Sequence, residues 1–198
     1  GGLIAKLQVT SGGDPLWNSV ANRSLDELRL PSELREELRR YFYFEPSPDI
    51  SRVVFMATPH QGSSIASGPV GKLAALLVNQ PDDRSRNHDL MIRCNPGVFS
   101  KELTNRIPTS VDLLNPHSDL LQAMGSLPIA NHVCLHSIVG NRCWTLLQGK
   151  SDGIVPVASA LDPRSISVKS VKASHGEVKG HPESIKEVLY ILQEHLQY

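Results

Sequence analysis

Apolar positions along this chain recur in two rhythms, one of period near 3.6 and one of short unbroken runs. Leu3, Ile4 and Leu7 fall on one helical face, predicting a buried helix that the Thr10 to Pro15 stretch, with its glycine pair and proline, then breaks. Ser24 to Glu27 has the form of a capping box. Pro31-Ser32-Glu33 opens a second helix that carries Leu34, Leu38, Tyr41 and Phe42, with its Arg and Glu residues forming a solvated face. After Glu45-Pro46-Ser47-Pro48 the rhythm changes to continuous runs, Val53 to Ala57 and Val133 to Val139, as in strands covered on both faces. Ile166 to Val171 alternates with polar residues and reads as an edge strand. The chain closes on a helix with Pro182 in its first turn and Ile185, Val188, Leu189, Leu192 and Leu196 toward a core.

Strands alternating with helices predict an α/β fold with a mostly parallel sheet, the strands lying near 52–57, 132–139 and 165–172. The first two are separated by far more chain than a crossover helix requires. Residues 58–131 hold helical patterns at Val70–Val78 and Leu120–Met124 and no clear strand, which predicts a helical, lid-like insertion within a single domain spanning 1–198.

Composition narrows the partners. With 20 basic and 20 acidic residues the chain has no global basic field for nucleic acid. No apolar run approaches the roughly 20 residues that span a bilayer. Cys94, Cys134 and Cys143 lack C-x-x-C spacing and read as unpaired thiols, with a Cys134–Cys143 bridge the one alternative. The scattered histidines do not suggest a zinc site. Compartment and oligomeric state are not legible.

Ligands of open parallel sheets bind beyond the carboxyl ends of the strands. Three loops occupy that position: Thr58 to Ser63, Gly140 to Pro156, and Lys172 to Gly176. The second supplies Asp152 and the third His175, an acid followed by a histidine, each after a predicted strand. An Asp before Gly is also an ordinary turn residue. His181 rivals His175, but His-Pro-Glu at a helix start reads as a local cap. His60 reads as a structural residue whose loop shapes the site, and His117, His132 and His136 as structural. Ser63 lacks the glycine-flanked setting of a nucleophile.

The pieces Phe55-Met56-Ala57-Thr58-Pro59-His60-Gln61-Gly62-Ser63, Ser151-Asp152-Gly153-Ile154-Val155-Pro156, and His175 ahead of Pro182-Glu183-Ser184-Ile185 resemble bacterial lipase/esterase-type α/β-hydrolases over nearly the whole chain. The resemblance implies the C-terminal half of an α/β-hydrolase fold and a Ser-Asp-His triad with Asp152 as acid and His175 as base. The opening Gly1-Gly2-Leu3 is similar to the end of a G-x-S-x-G nucleophile elbow. That places the expected serine about two residues before Gly1, with Gly1 and Gly2 beside the elbow and its oxyanion donors. The implied activity is hydrolysis of a small-molecule or lipid ester, for which neither a metal nor an organic cofactor is expected. On this reading the chain by itself lacks its nucleophile and is inactive. An amidase or peptidase shares the same triad, and a non-catalytic fragment or binding remnant is the reading from another class.

Overall fold

The computed structural model describes residues 1–63, 82–105, 107–109, 111–145 and 149–197. Its centre is a parallel sheet of β1 (Arg52–Met56), β2 (Cys134–Gly140) and β5 (Ser167–Val171), in the order β1-β2-β5. Arg52 pairs with Cys134 and Met56 with Ile138, while His136 pairs with Ser167 and Gly140 with Val171. The middle strand is covered on both faces, which explains its continuous apolar run: Leu135, Ile138 and Val139 are all buried. The mixed α/β class and the parallel strands are therefore as the sequence pattern predicts.

Alternation of side chains sorts the two faces. Phe55 and Leu135 point one way, onto Val9 just after α1 (Gly2–Leu7). Val54, Met56, Ile138 and Val171 point the other way, toward Val188 of the last helix, α8 (Pro182–His195). His136 ties all three strands together, with Nδ1 2.7 Å from Ser167 Oγ and Nε2 2.7 Å from the Arg52 guanidinium. Burial, then the adjacent Arg52 charge, pushes its pKa down and favours the neutral ring that such a bridge needs. His117 and His132 are exposed.

Two helical faces differ from their sequence readings. In α1, Leu3 and Leu7 pack on Leu16, Met124 and Leu127, but Ile4 is exposed and Lys6 is buried in its place. In α8 the stripe that docks is Ser184, Val188 and Ile191. Ile185, Leu189, Leu192 and Leu196 lie largely in solvent, correcting the expectation that they face a core. A helix lying against a three-stranded sheet buries only one narrow stripe, and the apolar residues about 100° around the axis from it miss the sheet.

Between β1 and β2 the described residues form α4 (Asp82–Cys94), α5 (Lys101–Asn105) and α6 (Asp119–Ser126), joined by turns and loops. The Val70–Val78 pattern lies outside the described residues. Residues 91–99 share a core with the segment after α1, which includes α2 (Asp14–Trp17) and α3 (Ser32–Phe42). Trp17 is its hub, set edge-on against Phe42 at 5.1 Å and Phe99 at 6.4 Å. Ser24 caps a single 3-10 turn through Asp26 N–H, not the longer helix that a capping box would open. All three cysteines are free thiols, so the Cys134–Cys143 bridge is not formed. Among the described residues no helix is long and apolar enough to cross a membrane.

Between β2 and Asp152 the chain forms a short antiparallel hairpin, β3 (Cys143–Thr145) and β4 (Gly149–Ser151), which periodicity did not reveal. Gly140 ends β2 where no side chain fits. A Cβ there would lie 2.7 Å from both Ala173 O and Asp152 Cβ, and 2.8 Å from Val178 Cγ2. Overpacking of this kind typically costs about 1–3 kcal/mol. Gly140→Ala is therefore expected to lower the unfolding free energy, read from urea denaturation, by that amount, and a change under about 0.5 kcal/mol would contradict the packing.

Candidate active site

The loops after β2 and β5 bring Asp152 and His175 together. His175 Nδ1 lies 2.7 Å from Asp152 Oδ2, and the His175 backbone N–H donates to Asp152 O at 2.9 Å. The carboxylate is buried, with 1% of its side chain exposed against 37% for the imidazole. Its other oxygen accepts N–H bonds from Ile154 at 2.9 Å and Val155 at 2.7 Å. Asp152 thus serves both as a turn residue and as a partner for histidine. An ionised carboxylate only accepts, so the proton of a neutral His175 sits on Nδ1 and the Nε2 lone pair is left outward. Nε2 has no hydrogen-bond partner among the described residues.

His181 is not in this constellation. Its Nδ1 accepts from Glu183 N–H at 3.2 Å and caps α8. Beside His175, Glu177 takes the Ser174 N–H and hydroxyl and a two-pronged contact from Arg142, fixing the loop. These bonds hold the exposed Glu177 carboxyl well below the usual range, at about 2, the Ser174 backbone contact contributing most.

The loop after β1 is stitched to the Asp152 loop. Ala57 leaves the strand with φ 49°, a left-handed conformation held by its N–H to Ile138 O at 2.9 Å. Ser159 Oγ donates to Gly62 O at 2.5 Å, and Ser63 Oγ donates to Ile154 O at 2.5 Å. The Ser63 hydroxyl is therefore engaged in joining two loops. Gly2 sits against the same loop, because a Cβ on it would fall 2.0 Å from Thr58 Oγ1. Gly1 is the N-cap of α1 and borders open space. The N-terminus of α1 and the Asp152–His175 pair thus both lie at the carboxyl end of the sheet.

A second polar cluster escaped the sequence reading. Lys6 Nζ pairs with Asp162 Oδ2 at 3.0 Å, their side chains 2% and 0% exposed. Arg164 grips the same carboxylate at 2.9 Å through both Nε and a terminal nitrogen. Burial pushes the Asp162 pKa up, but the bonds from Arg164 and Lys6 outweigh it and hold the carboxyl below the usual range. Burial lowers the Lys6 pKa despite the pairing. The only trace in the sequence is a lysine on the apolar side of a short helix, and its partner lies 156 positions away.

His60 borders this cluster, with Nδ1 3.9 Å from Asp162 Oδ2 and the ring edge-on to Phe55 at 4.5 Å, and neither ring nitrogen has a hydrogen-bond partner among the described residues. Its backbone N–H donates to Ser159 O and Thr58 O, so the loop-shaping role is carried by the main chain, not the ring. Burial, then the Lys6 charge, pushes the His60 pKa down from 6.5 to about 4. The unfolded chain therefore takes up this proton between pH 6.5 and 4 while the folded chain does not. The His60 contribution is intact above pH 6.5 and falls by roughly 3 kcal/mol on acidification to pH 4. His60→Phe should remove that slope, seen as urea midpoints measured from pH 7 to 4. Parallel pH profiles for the two proteins would contradict the assignment.

Comparison with protein-family models, curated proteins and solved structures finds no match to this chain. Among the described residues no group of three or more His, Cys, Asp or Glu side chains is placed to hold a metal.

Proposed function

We propose that this chain carries the acid and base of a serine ester hydrolase, with Asp152 as acid, His175 as base, and the nucleophilic serine just ahead of Gly1. The observation that carries the reading is the buried Asp152 carboxylate: Oδ1 is held by the Ile154 and Val155 N–H groups, and Oδ2 accepts from His175 Nδ1, which leaves Nε2 free for the chemistry. Support comes from Gly2, whose close approach to Thr58 sets the start of α1 at the same end of the sheet, as an elbow requires.

In such a site His175 Nε2 takes the serine proton as the hydroxyl attacks the ester carbonyl, then returns it to the departing alcohol. Asp152 stabilises the imidazolium that forms in between. The backbone N–H after the serine, assisted by the N-terminus of α1, stabilises the oxyanion. The resulting acyl-serine is released by water, activated by the same histidine. In this reading the fold is the C-terminal half of an α/β-hydrolase and the 58–131 region its lid, and the substrate is a small-molecule or lipid ester.

The test is a chain extended on the N-terminal side of Gly1. A fluorophosphonate should label a serine within a few residues of Gly1, identified by peptide mass spectrometry. The chain beginning at Gly1 should not be labelled and should not turn over a p-nitrophenyl ester. Labelling of Ser63, or a folded extended chain that resists the probe, would reject the proposal.

A further inference from the structure

The two segments that carry Asp152 and His175 are joined a second time, beside the contact between those side chains. Arg142 precedes Cys143, whose antiparallel partner in the hairpin is Ser151, and Ser151 precedes Asp152. Arg142 therefore belongs to the segment that delivers the acid. Glu177 belongs to the loop that delivers the base, two residues after His175. Arg142 Nη1 donates to both Glu177 oxygens, at 2.9 Å and 2.8 Å. Glu177 Oε2 also accepts the Ser174 N–H at 2.9 Å and the Ser174 hydroxyl at 2.7 Å. His175 thus stands between two residues that are tied to each other, one of which is tied across to the hairpin.

Packing alone does not hold this loop. Ala173 and Val178 anchor its two ends in the core, but the residues between them, Ser174 to Glu177, include no apolar side chain. Arg142 and Glu177 are 55% and 54% exposed, and a lone surface ion pair contributes little to stability. Several charge-assisted bonds converging on one exposed carboxylate fix a local geometry instead. Geometry is what an acid–base pair requires, since a drift of about 1 Å in a reacting group can cost about 10²-fold in rate. We propose that Arg142 and Glu177 are positioning residues: they hold the His175 loop against the hairpin, so that Nδ1 stays on Asp152 and Nε2 stays available. The effect on the imidazole is a property of this chain by itself, while its consequence for catalysis rests on the hydrolase reading.

The test reads the tautomer of His175 from the NMR shifts of its ring nitrogens, in the chain beginning at Gly1 at about pH 9, where an ordinary imidazole is neutral. The His175 signals are those lost in His175→Ala. The wild-type ring should hold its proton on Nδ1. Glu177→Ala and Arg142→Ala should each lower the ratio of the Nδ1–H to the Nε2–H form by about tenfold. The double variant should match Glu177→Ala, because both changes break the same link. Near-ultraviolet circular dichroism should stay as in the wild type, since both side chains are exposed. In the N-terminally extended chain, Glu177→Ala should lower kcat for a p-nitrophenyl ester by about 10- to 100-fold, with KM within about twofold. An unchanged tautomer ratio in both variants would overturn the proposal, as would additive losses in the double variant. So would a changed ratio accompanied by loss of the near-ultraviolet signal, which would mean that the fold and not the loop had moved. An extended chain that resists the fluorophosphonate while its ratio responds as expected would reject the hydrolase reading and leave the positioning role standing.

Discussion

Replacing His175 by alanine in the N-terminally extended chain is expected to lower kcat for a p-nitrophenyl ester by about 10⁴-fold or more, the scale seen when a triad member is lost. Asp152→Asn should cost about 10⁴-fold as well, for a different reason. An amide at this position can donate to Nδ1, which then becomes the acceptor and moves the histidine proton to Nε2, where it blocks proton abstraction. The two losses should not add in the double variant, because the residues act as one unit. The hydrogen bond between them, 2.7 Å long, is the reason to expect that coupling. KM should change little in either variant, since neither side chain is assigned to substrate binding. Full activity in His175→Ala would remove the histidine from the chemistry, and additive losses would separate it from Asp152.

The largest effect on stability is expected at Asp162. Asp162→Ala strands the Lys6 ammonium, 2% exposed, without its counter-charge, and also frees the Arg164 fork. Removing one partner of a buried ion pair typically costs about 3–5 kcal/mol. Lys6→Met is a different experiment. It keeps the length of the side chain and leaves Asp162 held by Arg164, so it should change stability by less than about 1 kcal/mol in either direction. The asymmetry between the two variants, read from urea denaturation at pH 7, is the measurement that matters. The Asp162 contribution should also fade below about pH 4, where the unfolded carboxyl begins to take up protons that the folded one refuses. Equal small losses in both variants would mean that the pair contributes little.

What could be read from the sequence was local or periodic. The continuous runs at Val53–Ala57 and Val133–Val139 marked β1 and β2 because parallel strands covered on both faces need apolar residues at every position. The polar alternation from Ile166 marked β5, whose side chains alternate between half-buried and exposed until Val171. The order of an acid and then a histidine, each just past a strand, was enough to pick out Asp152 and His175, since the carboxyl ends of parallel strands meet at one edge. The His181 cap was legible because a cap needs only its neighbours, and the bond to Glu183 N–H spans two residues.

Tertiary structure decided what depends on distant partners. Which stripe of α8 docks was set by the width of a three-stranded sheet, a quantity that helical periodicity does not contain. The burial of Lys6 was invisible for the same reason: a lysine in a helix reads as solvated until Asp162 and Arg164, far along the chain, close around it. Likewise Trp17 gained its role only when Phe42, at the end of α3, and Phe99, between α4 and α5, were folded onto it. The sequence by itself determined the element types and the loops in which Asp152 and His175 stand, because backbone sterics and amphipathic period act over a few residues. Only the folded molecule decided their 2.7 Å contact, the burial of His60 and the Lys6–Asp162 ion pair beside it. Those are sums over neighbours that lie far apart in the chain.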